Sequence, residues 1–342
     1  MPEQIKRGII LMNLGSPDST KVSDVRNYLN EFLMDERVID SHYITRTLLV
    51  KGIITPFRAS KSAEAYRAIW GEEGSPLVAI TRHLKTALQQ QMPEAIEVAM
   101  RYGNPTMKHA YDQLFAARPA IEEVVLLPLY PHYAMSSYET AVEHAKAVHK
   151  NGKYPFRITA IPPFYNNPVY IDALAESIKP FLANQNSHLL FSYHSIPERH
   201  IIKGDITKSH CLQSANCCET PSAAHKFCYR HQCFATTKLV TERLGIPKDK
   251  YSVSFQSKLG RSEWLKPSTT LRMDQMPKEG IKDLAVVCPS FVSDCLETLE
   301  EIAIREKENF LKAGGERFTF IPCMNTQPQW VKAIVQLIRN QQ

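Results

Sequence analysis

The sequence predicts an α/β protein built from two doubly wound halves. Short runs rich in Val, Ile and Leu alternate with longer amphipathic stretches along the 342 residues. The short runs are apolar almost throughout, which is typical of parallel strands covered by helices on both faces. Eight such runs are present, and a chain of this length can form two domains with substantial cores.

The first strand, residues 8–13, ends at the turn-forming sequence Gly15-Ser16-Pro17. The other predicted strands are 95–101, 122–130, 156–161, 188–193, 251–256, 284–288 and 317–321. Helical periodicity falls between most of them, for example at 22–34, 77–91, 137–150, 168–184, 233–244, 294–313 and 327–340. Pro162-Pro163 suggests a boundary between domains 1–162 and 163–325, with a C-terminal helix in 326–342 that packs back on the first domain.

Composition narrows the classes of function. The net charge of +6 is spread along the chain, which suits an acidic small molecule or an anionic membrane surface but is too dilute to indicate nucleic-acid binding. The N-terminus does not resemble a signal peptide, and no run of about 18 apolar residues predicts a membrane span. We therefore expect a cytoplasmic protein.

The cysteines are unevenly distributed. Five of the eight lie close together, at Cys211, Cys217, Cys218, Cys228 and Cys233. In a reducing cytosol such clustering favours metal binding over disulfides. The surrounding residues 204–232 are polar and lack periodicity, which indicates a functional insertion or a metal-held loop.

Two strand ends carry candidate chemistry, because ligands of parallel sheets bind beyond the carboxyl ends of the strands. His194 follows one strand, and Asp294 and Glu297 follow another, with Glu300 and Glu301 close behind. Imidazole and carboxylate together suit a divalent metal such as Fe²⁺ and can accept protons. Simpler interpretations exist: His194 as a polar loop residue, and Asp294 and Glu297 as a helix capping box, which spacing alone favours.

Longer motifs resemble those of ferrochelatases. The segment from Leu189 to His200, the segment Phe255–Pro267 and the segment from Cys288 to Ile302 each resemble a family signature, in the family's order. The N-terminal half is also similar, in Asn13-Leu14-Gly15-Ser16-Pro17, Gly74-Ser75-Pro76-Leu77, Arg101-Tyr102-Gly103 and Leu127-Pro128-Leu129-Tyr130-Pro131. The resemblance covers nearly the whole chain.

The resemblance implies two four-stranded parallel α/β domains with a porphyrin cleft between them. It implies insertion of Fe²⁺ into protoporphyrin IX, the last step of haem biosynthesis, without ATP. His194 and Glu297 would then lie on the metal side of the porphyrin, as proton acceptor and iron ligand in an undecided order. Asp294 and Glu301 would relay protons toward solvent.

The same resemblance implies a set of residues that line the cleft or bind the propionates: Arg58, Tyr66, Ser75, Arg101, Tyr133 and Trp264. Tyr66 and Trp264 fit equally well as core aromatics. The sequence departs from the family at four positions: Ser195 and Ser290 replace frequent glycines, Cys295 replaces a histidine of some members, and Thr270 replaces a common aspartate.

Residues 206–231 are an insertion relative to members that lack it. Four thiolates, from Cys211, Cys217, Cys218 and Cys228, suit sulfur ligation of a [2Fe–2S] cluster, which some ferrochelatases carry. Cys233 is the alternative ligand, because the adjacent Cys217 and Cys218 normally point apart. A Zn²⁺ site with His210, His225 or His231, and free thiols or a disulfide, are the competing interpretations.

Several alternatives stay open at this point. The chain could act on coproporphyrin or another tetrapyrrole, on cobalt, or be a haem carrier or a flavodoxin-like iron–sulfur protein without chelatase activity. Leu48, Leu49, Ile53 and Ile54 could form an apolar lip that contacts the inner membrane, or a helix packed on the core. The sequence does not predict the oligomeric state.

Overall fold

The computed structural model describes residues 6–182, 187–258 and 262–340. In this part of the chain eight strands form two four-stranded parallel sheets, which confirms the predicted fold class. The strands are β1 Arg7–Ser16, β2 Ala95–Gly103, β3 Glu123–Pro128, β4 Arg157–Ala160, β5 His188–His194, β6 Tyr251–Gln256, β7 Asp283–Val287 and β8 Arg317–Phe320.

The chain divides into two compact units. One contains the chain up to Tyr130, Met135–Pro162 and the residues from Ile334 onward, and the other contains Pro131–Ala134 and Pro163–Ala333. The first holds a sheet of order β2-β1-β3-β4 and the second a sheet of order β6-β5-β7-β8. The two sheets therefore share one topology, although the sequence shows no internal repeat. The functional domain division stays a prediction.

Helices connect the strands, as parallel sheets require. The α-helices are α1 Val22–Leu33, α2 Tyr43–Thr47, α3 Thr55–Ile69, α4 Pro76–Gln89, α5 Met107–Ala117, α6 Thr140–Gly152, α7 Pro168–Ile178, α8 Glu198–Gly204, α9 Tyr229–Leu244, α10 Thr269–Gln275, α11 Lys307–Lys312 and α12 Pro328–Arg339. Three π-helical segments adjoin them, at Leu48–Ile54, Met135–Glu139 and Glu297–Glu306.

Local sequence explains several of these boundaries. Pro76 and Pro168 occupy first turns, where a missing N–H costs nothing, and the Asn167 side chain accepts a hydrogen bond from the Val169 N–H to cap α7. Helix α9 ends at Gly245, which adopts the left-handed conformation with φ of 66°.

The predicted strands all form, with ends shifted by no more than a few residues. Helix α9 begins at Tyr229, before the predicted 233, and a short 3₁₀ helix, Ala223–Lys226, lies in the stretch predicted to be irregular. Residues 183 and 184 of the predicted helix 168–184, and residues 259–261 of the motif Phe255–Pro267, lie outside the described residues.

Each unit has its own core under the sheet. Ile10, Leu126 and Tyr111 belong to the core of the first, and Leu190, Val286 and Phe310 to that of the second. Full burial of such a side chain stabilises the fold by about 1.5–3 kcal/mol. These cores fix the strands, and the strands position the loops that follow their carboxyl ends.

Gly15 shows how tightly one such end is packed. It lies on β1 opposite Tyr102 of β2 and has a φ of 105°. A Cβ atom at this position would lie 1.8 Å from the Tyr102 carbonyl oxygen. Because this obstacle is backbone in a paired strand, a side chain here requires the two strands to separate.

We therefore expect Gly15→Ala to lower the free energy of unfolding by about 3 kcal/mol, through backbone strain and the steric clash. Thermal melting followed by circular dichroism measures the loss. Gly52→Ala is the matched control, because nothing lies within 4 Å of a Cβ built at Gly52. Equal melting temperatures for the two variants would contradict this account of Gly15.

Candidate functional site

His194 is the last residue of β5, at the carboxyl end of the second sheet, and is half-buried. It pairs in register with Gln256 at the end of β6. The Phe291 ring lies edge-on to the imidazole with 6.1 Å between ring centroids. The sheet thus presents this imidazole at the edge where parallel α/β proteins bind ligands.

The hydrogen bonding of His194 fixes its tautomer. Its Nδ1 atom lies 2.7 Å from the Ser195 carbonyl oxygen. Since a carbonyl oxygen only accepts hydrogen bonds, Nδ1 carries the proton. In the neutral imidazole Nε2 then bears the lone pair and can accept a proton or bind a metal ion.

Glu297 begins the π-helical segment Glu297–Glu306 and is half-buried. The buried Gln256 amide donates to the Glu297 backbone carbonyl at 2.8 Å, and the Gln256 side-chain oxygen accepts from the Ser192 hydroxyl at 2.8 Å. Gln256 therefore connects the two strand ends with the start of the segment. Wide π-helical turns are frequent at functional sites.

The capping-box interpretation of Asp294 and Glu297 is wrong. Leu296 immediately precedes the segment, and no side chain caps its N-terminus. The Asp294 carboxylate instead accepts three hydrogen bonds, from the Thr298 hydroxyl at 3.0 Å, the Asn325 amide at 2.7 Å and the Cys323 N–H at 3.2 Å. These donors hold Asp294 as a buried anchor of the loop before the segment.

Glu301 lies one turn after Glu297 in the same π-helical segment, and its side chain is buried. Its carboxylate accepts from the Ser257 N–H at 2.9 Å and from the Ser257 hydroxyl at 2.5 Å. Burial raises the pKa of Glu301, and the Glu297 charge adds to this rise. The Ser257 hydrogen bonds, Arg305 and His194 oppose the rise in that pKa. The charges of His194 and Glu297 therefore both act on the Glu301 carboxyl group.

In the first unit, Arg101 forms an ion pair with Asp35 and donates from Nε to the Thr140 hydroxyl at 2.9 Å. Burial acts to raise the pKa of Asp35, but hydrogen bonds from Thr140 and the Arg37 N–H, and the Arg101 charge, hold that pKa below its ordinary value. The Arg101 guanidinium is thus oriented by a buried carboxylate that the sequence analysis did not identify.

The other three residues predicted in this unit differ in exposure. Arg58 is exposed on α3, whereas Ser75 is buried just before α4. Tyr66 is buried and lies edge-on to Tyr28 and Trp70, with centroid separations of 6.4 and 6.0 Å. Tyr66 therefore packs against other aromatic rings, and its contact with the porphyrin stays a prediction.

Tyr133 and Trp264 belong to the second unit. The Tyr133 N–H donates to the Gln232 side-chain oxygen at 2.7 Å, and the Tyr133 ring lies edge-on to Phe227. Trp264 is half-buried, and its backbone forms a β-bridge with Pro197. Both residues lie on loops next to elements that carry His194 or the cysteines.

We call residues 205–228 the cysteine loop. The side chains of its four cysteines, Cys211, Cys217, Cys218 and Cys228, are all buried. The Cys218 and Cys211 thiols interact with the Cys228 thiol. Burial and this interaction raise the pKa of Cys211, and the same interaction is the largest cause of the raised pKa of Cys218. The hydrogen bond from Cys218 is the main reason why the pKa of Cys228 falls to about 6.

Arg230 adds a positive charge to this group of thiols. Its guanidinium lies 3.2 Å from the Cys218 sulfur and 3.6 Å from the Cys217 sulfur. Cys233, the alternative fifth cysteine, is fully buried on α9, where burial raises the pKa of its thiol.

Asp205 organises the start of the cysteine loop. Its carboxylate accepts from the N–H groups of Thr207, His210 and Cys211, each at 2.8 Å. Burial acts to raise the pKa of Asp205, but these hydrogen bonds, together with one from the Thr207 hydroxyl, hold that pKa far below its ordinary value. Asp205 therefore stays ionised and fixes the turn that carries Cys211.

Three histidines contact backbone carbonyls in the same loop. Nε2 of His210 and Nε2 of His225 lie 2.7 and 3.0 Å from the Cys217 oxygen, and Nδ1 of His231 lies 2.7 Å from the Cys218 oxygen. No group of three or more His, Cys, Asp or Glu side chains within residues 6–182, 187–258 and 262–340 is arranged to hold a metal ion. The thiols are thus close together but not in ligand geometry.

Comparison with known proteins identifies the family. A family profile described as Ferrochelatase matches residues 6–342. Ferrochelatase from Pseudomonas entomophila strain L48 is 47% identical over 334 residues, covering 97% of this chain and 98% of that protein. Ferrochelatase from Pseudomonas fluorescens strain Pf0-1 is 47% identical over 331 residues, covering 96% of each. The chain belongs to the ferrochelatase family.

Solved structures support the fold. SirB from Bacillus subtilis with Fe³⁺ has a TM-score of 0.54 at 12% identity and covers 98% of this chain and 95% of its own. The sirohydrochlorin chelatase SirB from Bacillus subtilis subspecies spizizenii in complex with cobalt also has a TM-score of 0.54, at 9% identity with the same coverage. At these identities the similarity establishes the shared fold alone.

Family membership confirms the predicted ferrochelatase, an enzyme of the lyase class. Sequence reasoning missed Gln256, Tyr229, Arg230 and Asp35 as residues that organise the site and the cysteine loop. Gln256 lies inside the motif Phe255–Pro267, and Arg230 lies between Cys228 and Cys233. Their positions in the sequence could therefore have pointed to them. Tyr229 and Asp35 gave no such signal, because their partners are distant in sequence.

Proposed function

We propose that His194 and Glu297 carry out the insertion of Fe²⁺ into protoporphyrin IX to give protohaem. The observation that supports this most directly is the His194 imidazole at the end of β5, whose Nδ1 is bonded to the Ser195 carbonyl and whose charge, like that of Glu297, acts on Glu301. An imidazole lone pair next to carboxylates can take up both a divalent cation and protons.

The reaction exchanges two pyrrole protons for one Fe²⁺ ion, so charge balances without ATP or electron transfer. His194 accepts a proton or contacts the entering iron through Nε2, and Glu297 takes the complementary role. Because its pKa is raised, Glu301 is suited to carry protons onward. Asp294, whose oxygens accept three hydrogen bonds, holds the loop that supports Glu297.

The porphyrin itself needs an apolar surface and cations for its propionates. We propose Arg58, Arg101, Ser75, Tyr66, Tyr133 and Trp264 for this contact. The Arg101 guanidinium is already oriented by Asp35, and it lies 4.3 Å from the Tyr102 ring centroid. An arginine held in this way loses little further freedom on binding an anion.

Replacing His194 with Ala should abolish haem formation, with a loss in rate of at least about 100-fold, because the Nε2 lone pair is removed. The measurement is loss of porphyrin fluorescence and appearance of haem when purified protein is mixed anaerobically with protoporphyrin and Fe²⁺. His188→Gln is the control, since His188 lies at the opposite end of the same strand and hydrogen-bonds to Ser252.

A His194→Ala variant that still forms haem at the parental rate would exclude His194 from the chemistry. A parent protein that binds porphyrin without forming haem would favour the carrier alternative. A parent that inserts iron into coproporphyrin and not into protoporphyrin would change the proposed substrate.

We further propose that the cysteine loop holds a [2Fe–2S] cluster. The proposal rests on the chemistry of the donors and not on their present arrangement, which is not a ligand geometry. Four buried thiols lie in one loop, and the Arg230 charge lies next to two of the sulfurs and would offset the charge of coordinated thiolates. Such a cluster would supply structure to the loop, because metal insertion moves no electrons. Cys233 is the alternative to Cys217 or Cys218.

Zinc is the competing metal for the same donors. The contacts between histidine nitrogens and the backbone carbonyls of Cys217 and Cys218 leave fewer imidazole ligands available for Zn²⁺. The sulfur-only donor set therefore favours the cluster.

We expect Cys211→Ser to remove the cluster, because one of four sulfur ligands is lost. Visible absorbance and the iron and acid-labile sulfide content of anaerobically purified protein are the readouts. Cys323→Ala is the control, since Cys323 is a buried thiol next to Asp294 and outside the loop. A full visible spectrum in Cys211→Ser would exclude Cys211 as a ligand, and zinc without sulfide in the parent would favour the zinc site.

We also propose that the protein is cytoplasmic and contacts the inner-membrane surface. Within the described residues no helix is long and apolar enough to cross a membrane. The segment from α2 to α3 exposes several large apolar side chains: Tyr43, Ile44, Leu48, Ile53 and Phe57. Leu49 and Ile54 are only half-buried. Lys51, Arg58 and Lys61 flank this surface, as in helices that lie on anionic lipids.

Replacing Leu48 and Phe57 together with Ser should therefore reduce binding to vesicles containing anionic phosphatidylglycerol by about tenfold, because buried apolar area is lost. Vesicle flotation measures this. Leu271→Ser is the control, an equally exposed leucine on α10 of the other unit. Equal flotation of parent and double variant would exclude this surface as the membrane contact.

A further inference from the structure

Tyr229 lies between the cysteine loop and the candidate catalytic histidine. It is the first residue of α9 and directly follows Cys228. Its side chain is buried, and its hydroxyl reaches the residue at the end of β5, 35 positions earlier in the chain. One tyrosine thus links the cysteine loop with the residue that ends β5.

Three hydrogen bonds join Tyr229, Ser290 and the backbone of His194. The Tyr229 hydroxyl donates to the His194 carbonyl oxygen at 2.8 Å. The His194 N–H donates to the Ser290 hydroxyl oxygen at 3.1 Å. The Tyr229 and Ser290 hydroxyl oxygens are 2.7 Å apart.

Donor counting fixes the direction of the third bond. A carbonyl oxygen only accepts hydrogen bonds, so the Tyr229 hydroxyl donates its proton to the His194 carbonyl. The Ser290 hydroxyl must therefore donate to the Tyr229 oxygen. The three bonds close into a ring in which each donor is used once, and hydrogen bonds that follow one another in this way strengthen each other.

The ring of three hydrogen bonds holds both the N–H and the carbonyl group of the His194 backbone. The orientation of the imidazole depends on the same stretch of backbone, because Nδ1 donates to the carbonyl of the next residue, Ser195. A shift of the Tyr229 hydroxyl would therefore move the His194 backbone and, with it, the imidazole and its Nε2 atom.

The other end of the link lies among the thiols. Cys228, one peptide bond from Tyr229, is a buried thiol that interacts with the thiols of both Cys211 and Cys218. A change in what the Cys228 sulfur binds will change the backbone position of Cys228. Since α9 starts at the next residue, that displacement passes directly to the Tyr229 ring.

Packing alone does not account for this tyrosine. Its ring lies edge-on to the buried His132 with centroids 5.9 Å apart, a contact that phenylalanine would make equally well. Phenylalanine would lack the hydroxyl, which bonds to the His194 carbonyl and to Ser290 and also interacts with the buried Cys233 thiol.

We propose that Tyr229 is a positioning residue that transmits the state of the cysteine loop to His194. The proposal rests on the proposed role of His194 in metal insertion. The linked state is the bonding of the Cys228 sulfur, whether to a metal cluster, to another thiol or to neither.

The first test compares Tyr229→Phe with Tyr193→Phe. Tyr193 is also buried, and its hydroxyl bonds to Thr237 on the same helix α9 without contacting the His194 backbone. We expect kcat to fall about tenfold in Tyr229→Phe with the KM for porphyrin unchanged, because the histidine is misplaced while the porphyrin surface is intact. Tyr193→Phe should keep the parental kcat. Equal losses in both variants would overturn the proposal.

The second test does not depend on activity. The ¹⁵N resonances of His194 can be assigned in histidine-labelled protein by their loss in His194→Ala. We expect Tyr229→Phe to shift them and Tyr193→Phe to leave them in place. Unchanged His194 resonances in Tyr229→Phe would overturn the proposal, even if the protein proved not to form haem.

The third test measures transmission. Cys211→Ser should lower kcat when Tyr229 is present and have little further effect in the Tyr229→Phe background, because the link is already broken. Effects of Cys211→Ser that multiply equally in both backgrounds would show that the loop does not act through Tyr229. A parent protein without haem formation would refute the proposed function, and the resonance shifts would then decide whether the link exists.

Discussion

The parallel pairing of β5 with β6 is the constraint on which the site depends. It places His194 opposite Gln256 at the carboxyl edge of the sheet. The Gln256 backbone carbonyl accepts from the Ser195 N–H at 2.8 Å, and its side-chain amide holds the Glu297 carbonyl. One buried residue therefore fixes both the turn after β5 and the start of the π-helical segment. Without this register, the turn after His194 and the start of the π-helical segment would not be held by the same residue.

The electrostatics of the site follow from that geometry. The proton on Nδ1 of His194 is committed to the Ser195 carbonyl, so in the neutral imidazole the other nitrogen carries the lone pair. Burial raises the pKa of Glu301, and the charge of Glu297 adds to that rise. A site that combines a free lone pair with a carboxylate of raised pKa favours uptake of both a divalent cation and protons.

The cysteine loop shows how a long segment with little regular structure is kept in place. Asp205 accepts hydrogen bonds from the N–H groups of Thr207, His210 and Cys211, and histidine nitrogens contact the carbonyls of Cys217 and Cys218. Buried backbone groups that lack a helix or sheet partner need such side-chain partners. These contacts hold the segments that carry the thiols. Tyr229, the first residue of α9, then connects the loop with the His194 backbone.

The sequence by itself determined the fold class, the eight strands, the family, and the two strand ends that carry His194 and Glu297. It could do so because strand burial leaves continuous apolar runs, and because parallel strands deliver their following residues to one edge. It determined the helices less completely. The stretch Tyr43–Ile69 has no clear apolar stripe, since residues such as Leu48 and Phe57 remain exposed.

Only the tertiary structure decided which polar side chains hold the site together. Asp294 looked like a helix cap by spacing, yet its oxygens accept from Asn325 and Cys323, about 30 residues away. Arg101 meets Asp35, and Tyr229 meets His194, across similar or larger separations in sequence. Periodicity and spacing record the secondary structure to which a residue belongs. The partner of a buried polar group is set by how the elements pack, and that leaves no local signature in the sequence.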